Sequence, residues 1–432
     1  MGDGRQQNDQ TSVWARTALA GPRFASLRGA VRADAVVIGA GYTGLCCALD
    51  LAERGHKAVV LEARELGWGG SGRNAGQWLP GWAGRTPQSV ADEFGAERGR
   101  ALNRFNLAAS QTLPGFVESL GIAAELDRSG ILMVAHTPKR FAALRRAFED
   151  WLELGGDVTL IGRGDVGGFL ATSRYFGGLL FGDGGMINPL AYARGLARSA
   201  RAAGARIFAR SPAIWISRER DRWRVETPDG SVDADFLALC TNAYTGDLWP
   251  MLGRGFYRLR VAMIASEELA EGGRGFMPAG IPFADTRAPW PFGGRLTSDG
   301  RFVASVLPHS SRRALPAALA RGFDARFRRV FPGRAPPRWS QSWCGDLCVV
   351  PNRVPRLYRL GPGAMAAMGY SGAGIALGTA LGRELARCLV GDVAHDGPVP
   401  ALHPHPAPFA RTVPWLFRHA IAPVARMAER IF

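Results

Sequence analysis

The stretch that most constrains this chain runs from Asp34 to Glu62. Ala35-Val36-Val37-Ile38 is a short unbroken apolar run, the composition of a parallel strand buried on both faces. Gly39-Ala40-Gly41-Tyr42-Thr43-Gly44 follows at once, then a helical pattern from Leu45 to Arg54 closed by Gly55, then a second apolar run, Ala58-Val59-Val60-Leu61, ending in Glu62. Strand, G-x-G-x-x-G turn, helix, strand and acid stand in the order of a dinucleotide-binding βαβ unit. Gly39 serves the tight turn, Gly41 lets the backbone approach a pyrophosphate, and Gly44 lets the helix pack close to the strand. The first helical turn, with Tyr42 and Thr43, offers free N–H groups and the positive end of the helix dipole to the phosphates. Glu62, eighteen positions beyond Gly44, stands where a carboxylate accepts from ribose hydroxyls, with Ala63 and Arg64 beside it. The unit predicts an adenine dinucleotide.

Composition narrows the class. A chain of 432 residues that is 47% hydrophobic can bury a large core, and its length predicts two or three domains. The net charge of +16 is almost all arginine, because Lys57 and Lys139 are the only lysines. The arginines are scattered without a dense basic run, which argues for a compositional bias and against nucleic-acid binding. The six cysteines show neither metal-ligand spacing nor a disulfide framework, so no metal site is expected and a reducing compartment fits. The first thirty residues lack the apolar core of a signal peptide, and no apolar run approaches a membrane span. The expectation is a soluble, cytoplasmic protein.

After Glu62 comes a glycine-rich loop, Leu66 to Gln77, in which Ser71, Gly72, Arg73, Asn74, Gly76 and Gln77 suit close passage of backbone past a flat or phosphorylated group. Residues 88–120 read as helical, 130–135 and 178–181 as strands, and about 139–154 as a helix between them. Asn188-Pro189 starts a helix ending at Gly204, with asparagine as cap and proline at the first position. Strands follow at 206–208, 214–217, 223–227 and 235–242, the last ending in Thr241-Asn242. Residues 251–340 carry strands near 259–266 and 301–306 and a helix near 314–329. The last apolar strand, 364–368, leads into Gly369-Tyr370-Ser371-Gly372-Ala373-Gly374 and a helix from Ile375 to Val390. A second glycine-rich turn opening a helix implies one extended cofactor gripped from both ends. That favours FAD over a nicotinamide, which must come and go. No second fingerprint and no redox-active cysteine pair is present. Residues 396–410 read as an extended linker. In the tail, Leu416, Ala420, Val424, Met427 and Ile431 recur at helical spacing with Arg418, Arg426 and Arg430 between them, a pattern that packs on the protein's own surface or lies on a membrane.

These segments together resemble the D-amino-acid oxidase superfamily, and most of all the branch of γ-glutamylputrescine oxidoreductase and the glycine and sarcosine oxidases. The resemblance rests on Val37–Leu45, Ser71–Gln77, Thr241–Tyr244 and Gly369–Gly374 and covers about 11 to 395. It implies an α/β fold in which a doubly wound, Rossmann-like FAD-binding domain (31–112, 186–250 and 341–395) interleaves with a smaller mixed or antiparallel substrate domain (113–185 and 251–340). An N-terminal arm (1–30) and a linker with an amphipathic tail (396–432) complete the chain. Ser71 to Gln77 would run along the pyrophosphate toward the isoalloxazine, and Ala213 would meet the adenine through its backbone. Thr241 and Asn242 would lie beside the cofactor, and Ser371, Gly372, Ala373, Gly374 and Ile375 would aim N–H groups at the pyrimidine side of the flavin. The chain departs from the family pattern at Cys344, at Ala373, where histidine is common, and in having no lysine after Lys139. Non-covalent FAD is expected.

The implied activity is oxidation of a C–N bond of an amine or amino acid by hydride transfer to flavin, with hydrolysis of the imine. No catalytic acid or base is identifiable. Trp343, Tyr370 and Arg301 are candidates for the substrate pocket, with Arg260 and Arg287 as further candidates for a substrate carboxylate. The acceptor is oxygen, or a quinone or carrier. A non-catalytic FAD-holding subunit is the remaining alternative.

Overall fold

The computed structural model describes residues 12–288, 290–306, 316–391, 397–399, 401–410 and 412–424. Its organising strand is Gly29–Ile38, which pairs in parallel with Ala58–Leu61 on one side and Gly230–Leu239 on the other. Arg206–Phe208 extends the parallel sheet beyond the first neighbour, and Ala364–Met368 extends it beyond the second. The chain order reverses at the organising strand, so a crevice opens at its carboxyl end, where G-x-G-x-x-G begins.

Alternate residues explain why the apolar run is unbroken. Ala35 and Val37 pack under the helices Tyr42–Glu53, Ala96–Ser119, Pro189–Ala202 and Ala376–Leu389. Val36 and Ile38 face the other way, into a core shared with Trp223 and Val225 of an antiparallel arm, Trp215–Glu219 and Arg222–Thr227. Both faces are dry, and polar alternation has no place there.

The second sheet has eight strands among the described residues and is mostly antiparallel. Its core is aromatic: Phe276, Phe283, Phe292, Phe302, Phe323, Phe327 and Phe331 pack together under the helix Pro316–Val330. Ala314, where that helix was expected to begin, lies outside the described residues.

Several boundaries shift for physical reasons. The expected helix 88–120 is two helices, Pro87–Phe94 and Ala96–Ser119, broken at Gly95, whose φ of +83° cannot continue a helix. The strand Trp339–Val349, not foreseen, pairs along its length with Tyr257–Glu268. The beginning of the segment 341–395 therefore belongs to the second sheet and not to the FAD-binding sheet. Part of the presumed linker is an edge strand, Ala401–Leu402, beside Leu357 and Tyr358. The N-terminal arm is not peripheral: Val13 and Trp14 are buried between the two sheets' cores. The Asn188 cap is as read, its Oδ1 accepting from Leu190 N at 3.1 Å and Ala191 N at 3.0 Å.

Candidate cofactor cleft

The G-x-G-x-x-G turn is as tight as backbone allows. A Cβ on Gly44 would stand 1.9 Å from the carbonyl oxygen of Gly39, and one on Gly39, at φ +103°, would stand 2.8 Å from that of Cys240. A Cβ on Gly41 would meet only Ser71 Oγ, which itself accepts from Tyr42 N at 3.2 Å. Ser71 thus crosses to the first turn of the helix. The backbone N–H groups of Gly41, Thr43 and Gly44 have no partner among the described residues. Unpaired, partly buried amides at the start of a helix fit a pyrophosphate.

Glu62 lies at the edge of this turn. Its Oε2 accepts from Ala40 N and its Oε1 from Arg64 N, each at 2.9 Å. Each carboxylate oxygen keeps a second lone pair, so two ribose hydroxyls can still be met. Burial raises the pKa of the group above the ordinary carboxylate value, against the lowering effect of the backbone amides. The segment that carries Ala213 runs alongside, with Ser211 N donating to Glu62 O at 2.8 Å and Arg210 N to Arg64 O at 3.1 Å.

The glycine loop is held from behind. Ser12 Oγ donates to Gly72 O at 2.9 Å, Trp343 Nε1 to Arg73 O at 2.8 Å, Trp14 Nε1 to Asn74 O at 3.0 Å, and Arg295 Nη1 to Gly76 O at 2.8 Å. Four carbonyls of one loop are claimed by side chains from the arm, the late strand and the second sheet. The N–H of Ala75, trans to the Asn74 carbonyl, has no partner among the described residues. Within the loop, Asn74 Oδ1 accepts from Gly76 N at 2.8 Å, and Asn74 Nδ2 donates to Tyr42 OH and to Gly70 O, each at 3.0 Å. Arg73 reaches Cys344 O at 3.1 Å and stands over the Trp68 ring. Gln77 begins a short pairing with Met186.

The second turn is held to the end of the neighbouring strand by Asn242, which stands at φ +45° and whose Oδ1 accepts from Gly369 N at 3.1 Å. Thr241 is bonded to Thr245. Ser371 stands at φ +51° and donates to Gly369 O at 3.1 Å. Ala373 N bonds Tyr370 O, whereas the amides of Gly372, Gly374 and Ile375 have no partner among the described residues. Thr43 Oγ1 lies 2.6 Å from Tyr370 OH and ties the two helix starts together.

The pocket candidates are placed differently from the cofactor residues. Tyr370 is buried against Thr43, and Trp343 against Trp14 at 6.2 Å between ring centroids, so both are anchored in cores. Arg301 pairs with Asp299 at 3.1 Å and donates to Ser266 O at 3.0 Å. Arg260 pairs with Asp346, and Arg287 with the fully buried Asp285. Arg295, absent from the sequence reading, is the buried arginine among the described residues. It makes no ion pair there, bonds the carbonyls of Gly76 and Ile187, and lies 5.0 Å from the Trp14 ring centroid. Burial pulls its pKa down to about 10, which leaves it charged at neutral pH. Nothing local in Gly293-Gly294-Arg295 or in Ser12-Val13-Trp14 announces these roles, because they depend on contacts 60 or more positions away in sequence, up to 219 for Arg295 to Gly76. Among the described residues no cluster of three or more His, Cys, Asp or Glu could hold a metal ion.

Residues 34–388 match the family described as DAO, FAD dependent oxidoreductase. The chain is 29% identical to γ-glutamylputrescine oxidoreductase of Escherichia coli (strain K12), over 93% of this chain and 94% of that protein. It is also 29% identical to a probable oxidoreductase OrdL of Rhizobium meliloti (strain 1021), over 86% of each. The fold is that of glycine oxidase from Geobacillus kaustophilus, with a TM-score of 0.68 at 19% identity over 84% of this chain and 96% of that one. L-Proline dehydrogenase from P. horikoshii gives a TM-score of 0.70 at 18% identity over 86% and 96%. Matched over residues 34–388, more than four-fifths of its length, this chain belongs to the DAO family of FAD-dependent oxidoreductases.

Proposed function

We propose that the protein oxidises a C–N bond of a small amine or amino acid, with non-covalent FAD as the electron acceptor of the first half-reaction. The observation that carries the reading is the paired set of unpartnered amides, Gly41, Thr43 and Gly44 at one helix start and Gly372, Gly374 and Ile375 at the other, tied together by Thr43 and Tyr370. Similarity to γ-glutamylputrescine oxidoreductase over nearly the whole of both chains supports an amine as substrate. Bound there, FAD supplies the two-electron acceptor: the amine loses a hydride from its α-carbon and a proton from nitrogen, and water converts the imine to a carbonyl compound.

The chain's own residues do the rest. Glu62 accepts from the ribose. The amides of Gly41, Thr43 and Gly44 meet the phosphates. The amides of Gly372, Gly374 and Ile375, at the positive end of the helix Ala376–Leu389, would stabilise the negative charge that grows on the flavin on reduction. Cys344 lies against Arg73, and burial pushes its thiol pKa up, which keeps it a poor nucleophile and supports non-covalent binding.

A second reading concerns the final acceptor. Lys57 and Lys139 are both exposed, Arg287 pairs with Asp285, Arg301 shares Asp299 with Arg16, and Arg260 shares Asp346 with Arg258. With both lysines exposed, the buried cation at the glycine loop is Arg295, whose delocalised charge stabilises superoxide less well than a compact ammonium, so reduced enzyme should react slowly with oxygen and faster with a quinone or carrier. Stopped-flow reoxidation by oxygen and by a soluble quinone, side by side, decides it. Fast, oxygen-saturable reoxidation with no gain from quinone would make it an oxidase.

A further inference from the structure

The tail behaves unlike the rest of the surface. Eleven large apolar side chains are exposed among the described residues, and five of them fall between 409 and 424: Phe409 at 76%, Trp415 at 58%, Leu416 at 40%, Ile421 at 45% and Val424 at 64%. The segment is nonetheless fixed to the body at its root. Ala407 N donates to Arg254 O at 2.8 Å, and Tyr257 OH to Pro408 O at 2.9 Å. Beyond that root, Ala422 is the one fully buried apolar residue of 412–424, packed with Trp290 and Phe417. The α-helical turn Thr412–Leu416 widens to π geometry over Phe417–Ile421, ahead of Pro423, which has no N–H to continue the ladder. Met427 and Ile431, the last members of the expected stripe, lie outside the described residues.

An apolar helix left in water needs a cover. Charge selects among the covers. From 397 to 432 the sequence carries Arg411, Arg418, Arg426 and Arg430 against a single acid, Glu429, in a chain of net charge +16. Two such tails repel one another, whereas an anionic lipid surface attracts both the arginines and the apolar side chains. Trp415 is the residue type that settles at the headgroup boundary. No helix among the described residues is long and apolar enough to cross a membrane, so the segment would lie on the surface. We propose that the protein docks on anionic membranes through the exposed side chains Phe409, Trp415, Leu416, Ile421 and Val424, which enter the headgroup layer.

The test is co-sedimentation of the FAD-loaded full chain with vesicles of phosphatidylglycerol and phosphatidylcholine, and with phosphatidylcholine alone. Two variants accompany it, a deletion of 411–432 and the double substitution Trp415→Glu, Leu416→Glu, whose side chains are exposed and whose loss leaves the core intact. The proposal expects binding to the anionic vesicles that falls at least about tenfold in both variants and weakens with salt. If the deletion fails to fold, the double variant decides alone. Equal pelleting of wild type and double variant, absence of pelleting, or a solution dimer that the double variant dissociates while lipid binding is nil would each overturn it.

Discussion

The two sides of the cleft solve opposite electrostatic problems. On the cofactor side the backbone does the work: carbonyls of the loop 72–76 are tied back by Ser12, Trp14, Trp343 and Arg295, and amides at two helix starts are left unpaired. On the expected substrate side the charged side chains already have partners: Arg287 pairs with Asp285, Arg301 shares Asp299 with Arg16, Arg260 shares Asp346 with Arg258, and Arg295 bonds the carbonyls of Gly76 and Ile187. Unpaired backbone donors describe a site for a permanent polyanionic guest. Arginines already engaged by carboxylates and carbonyls describe a scaffold, and that engagement weakens them as anchors for a substrate carboxylate.

Breaking the substrate-side scaffold should give the largest effect on stability. Arg287→Ala removes the cation paired with Asp285, a buried carboxylate whose Oδ1 then keeps only the amides of Phe292 and residue 287, and should cost about 3–5 kcal/mol in denaturant unfolding. A near-neutral result would show that Asp285 finds another partner.

On the cofactor side, Glu62→Ala should leave the fold standing and weaken FAD by about 1.5–3 kcal/mol, read as retention of FAD through gel filtration. The same residue predicts a pH dependence. Only the ionised carboxylate can accept from two hydroxyls, and burial raises its folded pKa. FAD affinity should therefore be full above that raised pKa and fall as pH drops through it, beginning at less acid pH than for an ordinary glutamate. Glu62→Gln should flatten the profile; an unchanged profile would remove Glu62 from the site.

A smaller effect should come from Trp14→Phe, which keeps the ring but loses the bond to Asn74 O and should weaken FAD by about 1 kcal/mol. A shift in the flavin visible spectrum should accompany it, because the loop rather than the core has moved. A change in melting temperature alone would make Trp14 a packing residue only. Smallest of all, Arg16→Ala breaks a half-exposed pair with Asp299 and should change stability by less than about 1 kcal/mol.

The same contrast explains what the sequence discloses. Turns, caps and fingerprints are local: Gly39 to Gly44, the Asn188 cap and Gly369 to Gly374 are each legible within ten residues because glycine and asparagine have steric meanings of their own. The clamp behind the loop is not local. Ser12 and Trp14 sit in a polar arm with no periodicity, and Arg295 is one arginine among many until the fold places it beside Gly76. The strand Trp339–Val349 is hidden for a related reason: its burial alternates irregularly along an edge, so neither period dominates. Arginine pairing is likewise a long-range fact, as Arg260 with Asp346 illustrates.

The central claim is amine oxidation by a bound flavin. Anaerobic titration of the purified yellow protein with γ-glutamylputrescine, other polyamines, N-methyl amino acids and D-amino acids tests it most directly, with the flavin absorbance as signal. The account predicts complete bleaching by at least one of these amines and one carbonyl product released per flavin reduced. A protein that dithionite bleaches and no amine does, or one that purifies without FAD and cannot take it up, would contradict it.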